Sequence, residues 1–106
     1  MKYGPDIALV ASLIGEPARA NMVLALMSGQ ALSAADLARE AGVTPPTATG
    51  HLAKLVSAGL LSVRKQGRNR YFDLAEPDVA HAIEALIAVA ARAGHLQIVA
   101  KKSTKP

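Results

Sequence analysis

Cysteine is absent from the 106 residues of this chain. Its absence excludes disulfides, thiolate metal ligands, cysteine nucleophiles and thiol-based redox sensing. It fits a cytoplasmic protein, and we expect the chain to be cytoplasmic. No run reaches the roughly 18 apolar residues that a membrane span needs, because His81, Glu84 and Arg92 interrupt the longest apolar segment, residues 79–93. The sequence therefore predicts no membrane partner.

The first twenty residues imitate a secretory signal, with Lys2, an apolar run at 7–14 and small residues at 18–20. However, Pro5 and Asp6 adjoin the run, the run is short, and its periodicity continues as a helix beyond the supposed cleavage point. We expect no export.

Aromatic residues make up only 3% of the chain, although 51% of it is hydrophobic. Alanine supplies much of that hydrophobic share, so the core consists of many small contacts that a partner subunit would strengthen. The length indicates one domain, or one subunit of a small dimer.

Acidic residues are missing from the stretch between residues 44 and 72, although the whole chain has eight of them. The charged residues of this stretch are all basic: Lys54, Arg64, Lys65, Arg68 and Arg70. With a net charge of +4 for the chain, this one-signed stretch is typical of a surface that binds nucleic acid.

Two short helices are predicted just before and inside this stretch. Ser33 and Asp36 have the spacing of a capping box, and Leu32 and Leu37 have that of a hydrophobic staple. Gly42 is expected to end the first helix in a left-handed conformation. Thr44, followed by two prolines, then caps a second helix. Two helices joined by such a tight turn predict a helix-turn-helix.

The second helix has an apolar face, formed by Ala48, Leu52, Leu55 and Val56 at helical spacing. Its other side is polar and small, and we expect it to lie in a DNA major groove. The residues predicted to contact DNA from this helix are Thr44, Thr47, Thr49, Gly50, His51 and Lys54. For His51, a phosphate contact and packing beside the following hairpin are both open.

A strand at 61–65, a turn at 66–69 and a strand at 70–74 follow. We expect this hairpin to grip the DNA backbone or enter the minor groove. The residues predicted to contact DNA from the hairpin are Arg64, Lys65, Arg68, Asn69 and Arg70.

Three further helices are marked by proline at the start and glycine beyond the end. They are expected to begin at Pro5, Pro17 and Pro77. The predicted order is α-α-α-α-β-β-α, a mainly α fold with one hairpin. The helix that begins at Pro17 is expected to have an apolar stripe that contains Ala20, Val23, Leu24 and Met27.

The last helix is apolar on nearly all sides, which favours burial on more than one side. A twin subunit covering this helix and the first one is the simplest explanation. Residues 1–96 are predicted to form the DNA-binding and dimerisation domain. Residues 97–106 are expected to be a basic, disordered tail, which either keeps the protein soluble or touches DNA phosphates.

Residues 44–55, TPPTATGHLAKL, and the following Ala58-Gly59-Leu60-Leu61 resemble the winged-helix transcription regulators of the ArsR (arsenic-repressor-like) family. The segment Glu16-Pro17-Ala18-Arg19 is also similar to the start of that family's second helix. The resemblance covers about residues 7–94. It implies a winged helix-turn-helix fold, a dimer through the first and last helices, and a homodimeric repressor that binds double-stranded DNA at a pseudo-palindromic operator.

The metal sites of that family are not reproduced. The segment 32–37 lacks the family's Cys-x-Cys pair, and Asp78 and His81 are one residue further apart than its Asp-x-His pair. A site that uses Asp78, His81, Glu84 or His95 in some other way is a weaker alternative, and we predict no metal and no cofactor. The effector is left open between a small organic molecule, a protein and none.

Two other classes of function remain as alternatives. A winged-helix module could use the same surface to bind protein. An enzyme is disfavoured, because the sequence has no Gly-rich phosphate loop, no nucleophile and base at a recognisable spacing, and no cluster of metal ligands.

Overall fold

Five α-helices and a small antiparallel sheet make up the computed structural model, which describes residues 4–95. The predicted tail at 97–106 lies outside the described residues. The helices are α1 (Ile7–Ile14), α2 (Pro17–Ala25), α3 (Ala34–Ala41), α4 (Pro45–Ser57) and α5 (Pro77–Arg92), with a 3₁₀ turn at Leu26–Ser28. The strands are β1 (Leu32–Ser33), β2 (Leu61–Gln66) and β3 (Asn69–Leu74). The predicted five helices and hairpin are confirmed.

Side-chain caps lie at the starts of the first four α-helices, whereas α5 begins at Pro77 without one. The Asp6 side chain accepts from the Leu9 amide at 2.9 Å, so α1 begins two residues later than the predicted start at Pro5. Pro5 therefore lies in the segment before α1 and not in the helix itself. In contrast, α2 begins at Pro17 as predicted, and the Glu16 carboxylate accepts from the Arg19 amide at 2.9 Å.

The turn between α3 and α4 has the predicted helix-turn-helix form. Ser33 and Asp36 form a complete capping box at the start of α3. Gly42 ends the helix with φ +69°, a left-handed conformation that glycine adopts at little cost. The Thr44 hydroxyl then accepts from the Thr47 amide at 3.4 Å and starts α4.

The core lies between α2, α3, α4 and the sheet. Met22, Leu26, Leu37 and Leu55 are completely buried there. The predicted stripe of α2 is partly wrong, because Val23 is buried but Leu24 is 45% exposed. Packing against α3 and α4 determines which side of this helix faces inward, and the change to a 3₁₀ turn at Leu26 alters the helical spacing.

A third strand extends the predicted hairpin. The sheet order is β1-β3-β2, all antiparallel, and Leu32 of β1 pairs with Phe72 of β3. This strand has two residues, too few to show any periodicity, and its partner is distant in sequence. The hairpin turn is also tighter than predicted, because Gln66 and Asn69 are already paired strand residues and only Gly67 and Arg68 lie between them.

The first and last helices leave apolar surface open to solvent in the single chain. Ile83 is the buried residue of α5, and α1 has none among the described residues. The large hydrophobic side chains exposed on these two helices are Ile7, Leu9, Val10, Leu86, Ile87 and Val89. The predicted burial of α5 on more than one side is therefore not achieved within one chain.

Between residues 4 and 95, no single helix has the length and hydropathy to cross a membrane. The segments Ile7–Ile14 and Pro17–Ser28 meet that test only as a pair, which is bent by 87°.

Candidate nucleic-acid interface

The face of α4 opposite the core is polar and exposed. Ala48, Leu52 and Leu55 are buried against the rest of the domain, and this fixes how the helix is rotated about its axis. The predicted DNA-contacting residues Thr47, Thr49, Gly50 and Lys54 are all exposed, and so is the cap residue Thr44.

Hydrogen bonds within α4 leave its exposed hydroxyl groups with different capacities. The Thr44 and Thr47 hydroxyl oxygens lie 3.1 Å apart, and because either hydroxyl can donate in such a pair, Thr47 can donate to a base or accept from one. The Thr49 hydroxyl donates to the Pro45 carbonyl at 3.0 Å, which leaves its lone pairs to accept from an amino group of adenine or cytosine.

Gly50 lies in the middle of this exposed face. A Cβ built at this residue would have no atom within 4 Å. Packing within the chain therefore does not require glycine here, although glycine in a helix interior costs about 1 kcal/mol relative to alanine.

His51 is placed differently from the other predicted contacts. Its side chain is only 17% exposed, and its Nδ1 lies 3.0 Å from Nη1 of Arg19. The ring contacts Arg19 at the start of α2, while packing beside the hairpin, the alternative given by the sequence, stays a prediction. Sequence reasoning missed this pairing with Arg19, since the two residues are 32 apart and α2 shows no pattern that selects a partner for it.

The hairpin carries the other predicted residues, and all five are exposed. Lys65 lies directly opposite Arg70 across the two strands, and like charges in that arrangement destabilise a sheet. Arg64 lies over the Tyr71 ring, with 5.9 Å between its guanidinium carbon and the ring centroid. Among residues 4–95, no carboxylate lies within 4.0 Å of the Lys54 side chain or of the lysine and arginine side chains of the hairpin.

An open groove separates the end of the hairpin from the first turn of α3. Its lining residues are Ser33, Ala34, Ala35, Arg68, Asn69 and Arg70. Because this groove joins the first turn of α3 to Arg68 and Arg70, the positive end of α3 and the hairpin cations lie on the same side of the molecule. At the same end of α3, hydrogen bonds from Ser33, and then the charge of Arg39, hold the pKa of the Asp36 carboxyl below its usual value.

The structure brings two of the potential metal ligands towards each other. Asp78 Oδ1 lies 4.0 Å from His81 Nδ1. In the part of the chain that the structure describes, no three histidine, aspartate or glutamate residues form a group that could hold a metal ion. Two ligands are fewer than the three or four protein ligands of a typical zinc site.

Comparison with known proteins agrees with this geometry. The family model described as "Helix-turn-helix domain" matches residues 14–64. The chain is 45% identical over 89 residues to the uncharacterized HTH-type transcriptional regulator YdfF of Bacillus subtilis. The aligned region covers 84% of this chain but only 39% of the length of that relative. It is also 28% identical over 88 residues to the biofilm growth-associated repressor of Agrobacterium fabrum, covering 83% of this chain and 74% of the repressor.

Among solved structures, the fold is similar to the homodimeric winged helix-turn-helix DNA-binding domain of Mb0332 from Mycobacterium bovis, described as a possible ArsR-family transcriptional regulator. The TM-score is 0.75 at 24% identity, and the match covers 92% of this chain and 97% of that domain. The chain therefore has the winged helix-turn-helix fold that the resemblance implied, with α4 in the position of the second helix of the helix-turn-helix and the β2–β3 hairpin as the wing.

Proposed function

We propose that this chain is a sequence-specific DNA-binding transcriptional regulator, acting in the cytoplasm as a homodimeric repressor rather than as an enzyme. In this proposal, α4 of each subunit enters a major groove and reads base edges. The wing contacts phosphates or the neighbouring minor groove. A dimer bound over a promoter would exclude polymerase.

The observation that carries the proposal is the set of exposed cations on α4 and the wing, none of which is paired with a carboxylate in the described residues. A folded domain gains little from placing Lys65 opposite Arg70, whereas a DNA phosphate between or beside them would remove their repulsion. Exposed threonine hydroxyls on the same helix supply the directional groups that sequence reading needs.

The dimer is supported by the exposed apolar side chains of α1 and α5. Leu86, Ile87 and Val89 are each about half exposed, at 52%, 47% and 51%. A two-fold contact through α1 and α5 would bury them and would also hold two recognition helices in one rigid unit. Successive major grooves on one side of DNA are about 34 Å apart, and this separation predicts a pseudo-palindromic operator.

Two substitutions test the DNA-binding surface. We expect Arg68→Ala to weaken binding to all duplexes alike and to flatten the salt dependence by about one unit, because one phosphate contact is lost. Thr47→Val should instead change which sequences bind, because it removes a hydroxyl that faces base edges. Arg92→Ala removes the same charge from the last turn of α5 and serves as the control. If Arg68→Ala and Thr47→Val both bind DNA as the wild type does, then α4 and the wing are not the DNA-binding surface.

Sedimentation equilibrium tests the dimer. Ile87→Glu places a charge in the proposed contact and should give monomers, while Val63→Glu introduces the same group on the wing, where Val63 is 44% exposed, and should leave dimers. A wild-type chain that is monomeric at micromolar concentration would contradict this part of the proposal.

A further inference from the structure

The Arg19 guanidinium connects two helices that are distant in sequence. Its Nε donates to the Leu13 carbonyl in the last turn of α1 at 2.7 Å. Its Nη1 lies 3.0 Å from Nδ1 of His51 on the recognition helix α4. Both contacts are partly buried, so one planar group holds the end of α1 and the middle of α4 in a fixed relation.

The chemistry of the pair determines the state of the His51 ring. A guanidinium is always protonated and has no acceptor, so Nδ1 of His51 must accept. The ring is then neutral and carries its proton on Nε2. That nitrogen lies 3.9 Å from Oε1 of Glu16, which is too long for a hydrogen bond. The same oxygen accepts from the Arg19 amide, and this bond holds the pKa of Glu16 below its usual value.

We propose that Arg19 is a positioning residue for the recognition helix, which it orients against the end of α1 through Nδ1 of His51, and that His51 is not a phosphate ligand. This inference depends on the proposed DNA-binding function for its effect on affinity. The pairing itself is a property of the free protein.

The location of the pair explains why its loss should affect specific binding most. The helix α1 carries Ile7, Leu9 and Val10 of the proposed dimer contact, and α4 carries the reading face. Both recognition helices of a dimer must fit grooves at a fixed spacing. Rotation of α4 relative to α1, once the contact between Arg19 and His51 is lost, would therefore disrupt base contacts in both half-sites. Wing contacts to phosphates would survive, since they are independent of sequence.

Nitrogen NMR of the histidine rings tests the pairing without DNA. The signal of the His51 ring, assigned by its loss in His51→Asn, should be that of a neutral ring with the proton on Nε2, because Nδ1 accepts from Arg19. The charge-conserving Arg19→Lys should alter this signal, while Arg39→Lys, whose guanidinium partner is Asp36 on α3, should leave it unchanged. A proton on Nδ1 of His51 would overturn the proposal.

Two isosteric substitutions test the role in binding. Asparagine places its oxygen near the location of Nδ1, whereas glutamine places its terminal group near Nε2. We expect His51→Asn to keep specific affinity, while His51→Gln loses about tenfold, as for a charge-assisted hydrogen bond. The reverse order, or equal affinities for the two variants, would overturn the proposal. If the wild type shows no specific binding, the proposed function fails, whereas the ring NMR still decides whether the pair exists.

Discussion

Gly50 gives a prediction in which stability and DNA binding change in opposite directions. The methyl group of an alanine at residue 50 has room, because a Cβ added there would have no atom within 4 Å. The residue lies inside α4, where alanine is favoured over glycine by about 0.8–1.0 kcal/mol. For a domain of this size, that gain raises the melting temperature by roughly 4–8 °C. We therefore expect Gly50→Ala to be more stable than the wild type.

The same methyl group should weaken operator binding if the α4 backbone approaches the bases closely. Adding a methyl group to a closely packed contact costs roughly 1–3 kcal/mol, which lowers affinity by about fivefold or more. Thermal unfolding measures the first effect and fluorescence anisotropy on operator DNA the second.

Gly42→Ala is the matched control for the stability measurement. Its Cβ would also have open space, but its φ of +69° is unfavourable for alanine, so this variant should lose roughly 1 kcal/mol or more. A Gly50→Ala variant that is stabilised and binds its operator as tightly as the wild type would refute the close approach. A destabilised Gly50→Ala would contradict the open space for a side chain at residue 50 within α4.

Three further predictions concern stability and are measured by thermal or denaturant unfolding. Leu55→Ala should cost roughly 2–5 kcal/mol, because its side chain is completely buried between helices; a loss below about 1 kcal/mol would contradict the described core. Ser33→Ala should cost about 1 kcal/mol through the lost N-cap of α3, and an unchanged melting temperature would show that the cap contributes nothing. The pKa of Asp36 is lowered in the folded protein, chiefly by Ser33, so its stabilising effect is present above the unfolded pKa and is lost as the pH falls through the folded value. Asp36→Asn should therefore flatten the loss of stability below about pH 4, and an equally steep loss in both proteins would contradict this assignment.

Local signals in the sequence predicted the parts of the fold that depend on neighbouring residues. The capping box of Ser33 and Asp36 and the left-handed Gly42 define the helix-turn-helix, and each depends on residues only a few apart. In contrast, β1 and the inward side of α2 were missed because distant partners decide them. Leu32 is a strand residue only because Phe72 lies beside it.

The candidate site shows the same division. Alternation of polar and apolar residues along α4 correctly predicted that Thr47 and Lys54 are exposed, because the apolar stripe fixes the opposite face. The same reasoning grouped His51 with them, although its side chain is only 17% exposed and contacts Arg19. Helical spacing gives the direction of a side chain but does not reveal what a second helix places against it.

The central claim, that α4 and the wing form a sequence-reading DNA surface, is tested most directly by fluorescence anisotropy at rising salt. The two duplexes are DNA from just upstream of the protein's own gene and a shuffled sequence of the same composition. We expect tighter binding to the native duplex, with dimer stoichiometry and a steep dependence on salt. Equal binding to both duplexes that disappears with salt would reduce the surface to a generic basic patch. No binding to either duplex at low salt would contradict the claim and favour a winged-helix module that binds protein.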